Sequence, residues 1–213
     1  ATVVANPRDK KVEVTFIADT IAGKVTGCGK IVNVGHGTIS KGYYFTESFW
    51  TERENWVDLL CVPGAYAAER FANVLKTRVA ATGMPKLDPV FSGAFDRNHL
   101  CELLHLNPEK KIVLYAPTFN IDLSSVYDFQ NRFSELRGQD RYVLIKLHGS
   151  TLPQTVAVYR RMAERFEDII FIDDPNIAPY IGGADIMISD VSSASMEFIA
   201  LDRPVLLYNN PRR

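Results

Sequence analysis

Short apolar runs rich in Val, Ile and Leu recur along the chain, separated by segments in which apolar residues return at helical spacing. A run that is apolar at consecutive positions reads as a strand buried on both faces of a parallel sheet, whereas a three-and-four spacing reads as a helix with one covered side. On that basis residues 12–18, 30–34, 59–62 and 78–82 are predicted strands, and residues 65–76 a helix lined by Ala68, Phe71, Ala72 and Leu75. Residues 43–56 are aromatic and mixed in charge without clear period, and residues 86–98, with Pro89 and Gly93, read as an irregular linker. Beyond it, strands are predicted at 111–115, 142–146, 169–172, 185–189 and 204–208. They alternate with helices at 98–106, 126–136, 154–165 and 177–182, and with one starting near Ser192 or Ser193. Alternation of strand and helix predicts an α/β fold built on doubly wound parallel sheet.

Residues 184–208 form the densest unit: strand, turn, helix, strand, with the small polar residues gathered at the single turn Ser189-Asp190-Val191-Ser192-Ser193. Met196, Ile199 and Ala200 fall at helical spacing, and a serine ahead of them is a good N-cap. Hydroxyls and backbone N–H groups at such a turn favour phosphate, but Asp-x-Ser-Ser before a helix is also the form of ordinary capping. Position changes the weight of the two readings. His36, Thr118, His148 and the Ser192–Ser193 pair each follow the C-terminal end of a predicted strand, the edge along which open α/β sheets bind ligands.

Composition narrows the class. A chain of 213 residues, 46% hydrophobic and 23% charged, has the make-up of a globular protein with a sizeable core. The formal net charge of -1 gives no electrostatic reason to expect nucleic acid. Cys28, Cys61 and Cys101 are odd in number and in no metal-ligand spacing, and read as reduced thiols of an intracellular protein. No apolar run approaches the roughly 18 residues needed to span a bilayer.

Five motifs then stand in order: His36-Gly37-Thr38-Ile39-Ser40-Lys41, Thr82-Gly83-Met84-Pro85-Lys86-Leu87-Asp88, Leu114-Tyr115-Ala116-Pro117-Thr118, Lys146-Leu147-His148 and Ile188-Ser189-Asp190-Val191-Ser192-Ser193. In this order and spacing the chain resembles the CDP-glycerol glycerophosphotransferase family, the teichoic-acid primases and polymerases, which is similar to GT-B glycosyltransferases and to UDP-N-acetylglucosamine 2-epimerases. The resemblance implies a GT-B-like fold of two Rossmann-type domains with a cleft between them. Residues 1–86 would be a partial acceptor-side domain and residues 87–213 the nucleotide-donor-binding domain, the first domain and the C-terminal end both reading as incomplete. It implies His36 as base for the acceptor hydroxyl, supported by Gly37, Thr38 and Lys41, and His148 as a second catalytic histidine that holds phosphate. Thr118, Lys146, Ser192 and Ser193 would bind the donor, with Asp190 in support, and Glu197 would meet the nucleotide ribose. The residues by themselves leave Glu197 a solvated helix face, and Gly83, Pro85 and Asp88 hinge formers. Val191 stands where the family usually has Tyr, Phe119-Asn120 where an aromatic and often a basic residue follow, and Gly149 where it has Pro.

The expected reaction is transfer of glycerol phosphate, or a related polyol phosphate, from a CDP-activated alcohol to a hydroxyl acceptor in surface-polymer synthesis. No metal and no cofactor beyond the donor are expected. The acceptor would be lipid-linked or a polyol phosphate, and the location cytoplasmic, at the inner membrane face where the protein is peripherally attached. A GT-B sugar-nucleotide enzyme, and a truncated module that only binds a nucleotide, are the alternatives left open.

Overall fold

A computed structural model describes residues 12–18, 28–38 and 57–211. The chain divides into two compact units, Ala1–Pro85 and Lys86–Arg213.

In the first unit β1 (Val12–Ile17), β2 (Cys28–Asn33), β3 (Leu59–Val62) and β4 (Arg78–Ala81) form a parallel sheet in chain order. Helix α1 (Ala65–Ala72) leads from β3 to β4. Its Phe71, with Leu75 just beyond, packs on Leu60 and Val62 of β3, while Ala72, expected on the covered side, is exposed.

A 3-10 turn (Pro85–Leu87) carries the chain from the first unit into the second, and the short helix α2 (Asp88–Phe91) follows, where an irregular linker is expected. Pro89 lies at the start of α2, where its missing N–H costs nothing and its fixed φ suits a helix. Leu87 and Val90 are buried. The rest alternates: α3 (Arg97–Leu104), β5 (Lys111–Tyr115), α4 (Val126–Phe129), β6 (Arg141–Ile145), α5 (Pro153–Ala163), β7 (Ile169–Phe171), α6 (Ala178–Gly183), β8 (Ile186–Ser189), α7 (Ser193–Ile199) and β9 (Val205–Leu207). The single helix expected over 126–136 is two pieces, α4 and a 3-10 turn at Phe133–Leu136.

These five strands form a parallel sheet in the order β7-β6-β5-β8-β9. The central strand β5 shows why. Its Ile112 and Leu114 join Leu144, Met187, Leu100, Ile181 and Phe198 in one core, and its Val113 and Tyr115 join Val143, Ile145, Ile188, Phe133 and Tyr159 in another. The strand alternates between two apolar layers, each covered by helices, so an apolar residue is required at every one of these positions. On the first face α6 lies against α3 so closely that a Cβ on Gly183 would stand 2.3 Å from the Leu100 Cβ.

Chain order reverses between β5 and β8: the chain winds outward through β6 and β7, then returns to the other side of β5. That reversal is a topological switch point, the place at which open α/β sheets as a class bind ligands, beside the C-terminal ends of the strands.

Leu114 is fully buried beside Leu144 and Met187. Leu114→Ala is expected to lower unfolding stability by about 2–5 kcal/mol, and Leu103→Ala, at a 46% exposed position, by less than about 0.5 kcal/mol. Urea unfolding of both variants measures this; similar costs at the two positions would contradict the two-layer core.

Candidate functional site

The C-terminal ends of β5 and β8 are fastened at several levels. Ala116 N–H donates to Ile188 O at 3.0 Å, and Ser189 Oγ donates to Ala116 O at 2.6 Å. Beyond them Asp190, 4% exposed, turns its carboxylate back under the loop that follows β5. Its Oδ1 accepts from Thr118 N at 2.7 Å, and its Oδ2 from Ser125 N and Ser125 Oγ, both at 2.8 Å. The single hydroxyl proton of Ser125 is thereby committed to Asp190. In the 2.9 Å contact between Tyr115 and Ser125 the tyrosine must then be the donor. Burial holds the Tyr115 phenol well above its ordinary range, so that proton stays in place. Ser124 Oγ donates to Thr118 O at 2.6 Å, and Asn210 Nδ2 to Ser124 O at 3.0 Å. Asp190, expected as a supporting residue, is the hub that shapes both loops.

Ser124, Ser125 and Asn210 are not among the expected site residues. A signal for two of them exists: Asp122-Leu-Ser-Ser125 has the same Asp-x-Ser-Ser form as Asp190-Val-Ser-Ser193, and also follows a strand. Thr118 itself is 3% exposed, so its side chain lies within the loop. Ser192 is the N-cap of α7, its Oγ accepting from Ala194 N at 3.3 Å, and the Ser195 hydroxyl donates to Ser192 O at 2.7 Å. The covered side of α7 is Ala194, Ser195, Glu197 and Phe198, whereas Met196, Ile199 and Ala200, the expected apolar spacing, are exposed.

Glu197 is correspondingly no solvated helix face. Its side chain is fully buried, with both carboxylate oxygens within 2.8 Å of Lys86 Nζ, whose side chain is 30% exposed. Lys86, from the Thr82–Asp88 motif, thus meets a residue 111 positions further along the chain.

The next strands at the same edge bring in cations. Lys146, after β6, is half-buried and donates to Leu147 O at 3.2 Å. Burial draws its ammonium below the usual lysine range, and Asp174 and Asp173, which follow β7, push it back up. Asp173 is held by Arg160 at 2.6 and 2.7 Å. Asp174 accepts from the Tyr180 hydroxyl at 3.2 Å, and burial together with this carboxylate pushes the Tyr180 phenol up to about 12. His148 is exposed and accepts at Nδ1 from Ser150 N at 3.0 Å. An amide N–H can only donate, so the proton of the neutral ring lies on Nε2. A groove of about 890 Å³ at the opposite, N-terminal edge of this sheet, lined by His105, Lys110, Arg137, Tyr142, Arg165 and Phe166 among others, contains none of the expected site residues.

In the first unit His36 follows β2, flanked by Gly35 at φ 67°. His36 Nδ1 lies 3.1 Å from Ala18 O. A carbonyl can only accept, so Nδ1–H donates and the lone pair of the neutral ring is on Nε2. The two histidines thus take opposite tautomers. Gly37 and Thr38 are partly exposed beside it. Lys41 lies outside the described residues. Among the described residues no three His, Cys, Asp or Glu side chains group as a metal site, and no helix is long and apolar enough to cross a membrane.

Residues 27–211 match the family described as CDP-Glycerol:Poly(glycerophosphate) glycerophosphotransferase. The chain belongs to this glycerophosphotransferase family. Two curated members are 35% identical over 136 residues, a teichoic acid glycerol-phosphate primase of Bacillus spizizenii, and 29% identical over 189 residues, a teichoic acid poly(glycerol phosphate) polymerase of the same organism. These alignments cover 59% and 81% of the chain but 32% and 45% of the relatives, so it spans a third to a half of their length. The fold agrees with that of the wall teichoic acid polymerase TagF, with TM-score 0.60 and 22% identity over 83% of this chain and 49% of that one. A UDP-GlcNAc 2-epimerase from Neisseria meningitidis, bound to UDP-GlcNAc, superposes with TM-score 0.55 and 14% identity over 86% and 54%. The chain therefore has the two-sheet, GT-B-like α/β architecture expected of the family.

Removing the hub of the glycerophosphotransferase-family edge tests its weight. Asp190→Ala leaves three buried donors without their acceptor, each worth about 1–3 kcal/mol. A stability loss of about 3 kcal/mol or more is expected in urea unfolding, against about 1 kcal/mol for loss of the cap in Ser192→Ala. An Asp190→Ala variant as stable as Ser192→Ala would remove Asp190 from this role.

Proposed function

We propose that the protein transfers glycerol phosphate, or a related polyol phosphate, from a CDP-activated alcohol to a hydroxyl acceptor in wall-polymer synthesis. The observation that carries this reading, within the family match across residues 27–211, is the opposite tautomers of the two histidines. His36 offers a basic Nε2 and suits an acceptor hydroxyl. His148 offers Nε2–H and suits an anionic oxygen.

In the proposed reaction the acceptor oxygen attacks the β-phosphorus of the donor. The new P–O bond forms as the bond to the bridging oxygen breaks; CMP leaves with that oxygen, and the hydroxyl proton passes to His36 Nε2. Phosphoryl transfer of this kind depends on alignment and on positive groups around the phosphate oxygens. Lys146 and the His148 Nε2–H supply those in this reading, with the Ser193 hydroxyl and the loop holding Thr118 and Ser192 shaping the donor side. Glu197 serves the ribose, which requires Lys86 to share or yield its carboxylate. The donor needs no further cofactor. The acceptor would be lipid-linked or a polyol phosphate, met in the cytoplasm at the inner face of the membrane, with Lys41 contributing beside His36.

CMP release from CDP-glycerol in the presence of a glycerol-phosphate acceptor is the direct assay. His36→Ala is expected to lower turnover by about a hundredfold to ten-thousandfold, the range for loss of a general base, with CDP-glycerol affinity unchanged. Near-normal turnover would take His36 out of the mechanism. Thermal stabilisation by UDP or a UDP-sugar, without stabilisation by CDP, would replace this reading with that of a sugar-nucleotide enzyme.

A further inference from the structure

The ring of His148 is exposed, yet two of its sides are built upon. Ser150 N–H fixes the Nδ1 edge at 3.0 Å. The Phe119 ring lies against its face, with centroids 4.5 Å apart and planes inclined by 31°. Phe119 is 40% exposed, so this contact is no piece of the core. Its backbone is nevertheless held at the residue before it, where Thr118 N–H donates to Asp190 and Thr118 O accepts from Ser124 Oγ. A line of contacts runs from the buried carboxylate through Thr118 to the Phe119 ring and onto the imidazole.

We propose that Phe119 is a positioning residue that, with the Ser150 amide, holds His148 in one ring orientation and one tautomer, Nε2–H, for hydrogen bonding to a phosphate oxygen of the donor. This rests on the reading of His148 as a phosphate ligand. An exposed imidazole on a loop would otherwise sample both ring flips and both tautomers: a flip puts Cδ2 in the place of Nδ1 and Cε1 in the place of Nε2, and the other tautomer leaves a lone pair on Nε2, so either change takes the N–H away from the anion. The amide of Ser150 favours one flip through a single hydrogen bond. The ring face of Phe119 resists rotation, and it also attracts the ring when it is protonated, since an aromatic face favours a cation. Phe119 thus acts on the phosphate through His148.

The test uses the full chain with labelled histidine, and CDP-glycerol as the probe. In long-range proton–nitrogen spectra, taken where the rings are neutral, wild-type His148 is expected as the single Nε2–H tautomer. Phe119→Ala is expected to give an averaged tautomer signal and to weaken CDP-glycerol binding about two- to tenfold, the value of one aromatic pair. Phe119→Leu, which keeps apolar bulk without a ring face, is expected to behave like Phe119→Ala, while Phe119→Tyr restores both tautomer and affinity. Unfolding midpoints of the Leu and Tyr variants are expected at the wild-type value, separating positioning from folding. His148→Ala, measured alongside, is expected to weaken binding about tenfold or more. If His148→Ala binds CDP-glycerol as wild type does, the phosphate reading of His148 falls and this inference with it. If His148→Ala weakens binding while Phe119→Leu keeps both wild-type affinity and a single tautomer, His148 stands and the role of Phe119 is overturned.

Discussion

Three hydrogen bonds to one buried carboxylate set the shape of the second unit where strands β5 and β8 end. Asp190 leaves the end of β8, crosses beneath the loop that follows β5, and gathers the Thr118 amide and both donors of Ser125. Charge-assisted bonds inside a protein are stronger than neutral ones, and the penalty for leaving such donors without an acceptor is larger still. The loop is therefore held in a conformation that keeps all three donors on the carboxylate. Tyr115 extends the same network inward, its hydroxyl bound to Ser125 and its ring packed on Phe129, Phe133 and Tyr159. Surface loop and aromatic core are continuous through a single serine.

The Lys86–Glu197 pair follows another logic. A fully buried carboxylate against a partly exposed ammonium is costly to break, because removal of either partner leaves the other uncompensated. It ties the segment at the start of the second unit to the helix after β8. A ligand that draws on Glu197 must contend with a cation already in place, which makes Lys86 as much a part of any ribose subsite as the glutamate.

Local pattern revealed much of the fold. Strands β5, β6 and β8 are legible because strands buried on both faces carry few polar positions to obscure them; β9 is legible from its apolar run although Leu206 and Leu207 are exposed, and β3 and β5 fall on the expected residues. What was hidden depends on phase or on neighbours. Helix α7 carries apolar residues on two sides, so spacing alone favours Met196 and Ile199, while the helix in place covers Ala194, Glu197 and Phe198. Pro89 looks like a breaker unless it is known to stand at a helix start. Asp190 was legible as a polar residue in a turn; its part as hub was not, because its partners belong to a loop adjacent only once β8 lies beside β5. The tautomers of His36 and His148 depend likewise on which backbone group each ring meets.

Strand β5 borders partners from distant parts of the chain: Leu114 lies opposite Leu144 on one side and Met187 on the other. The β5–β6 side can form early, as the nearer segments become available. The β8 side closes a loop spanning 72 positions between Thr118 and Asp190, and contacts so far apart in sequence form late, because chain entropy must be given up before they contribute. During synthesis at the ribosome the loop after β5 thus cannot take its final shape until Asp190 has been made. A nascent chain can own most of its apolar core and still lack the one carboxylate that orders this loop.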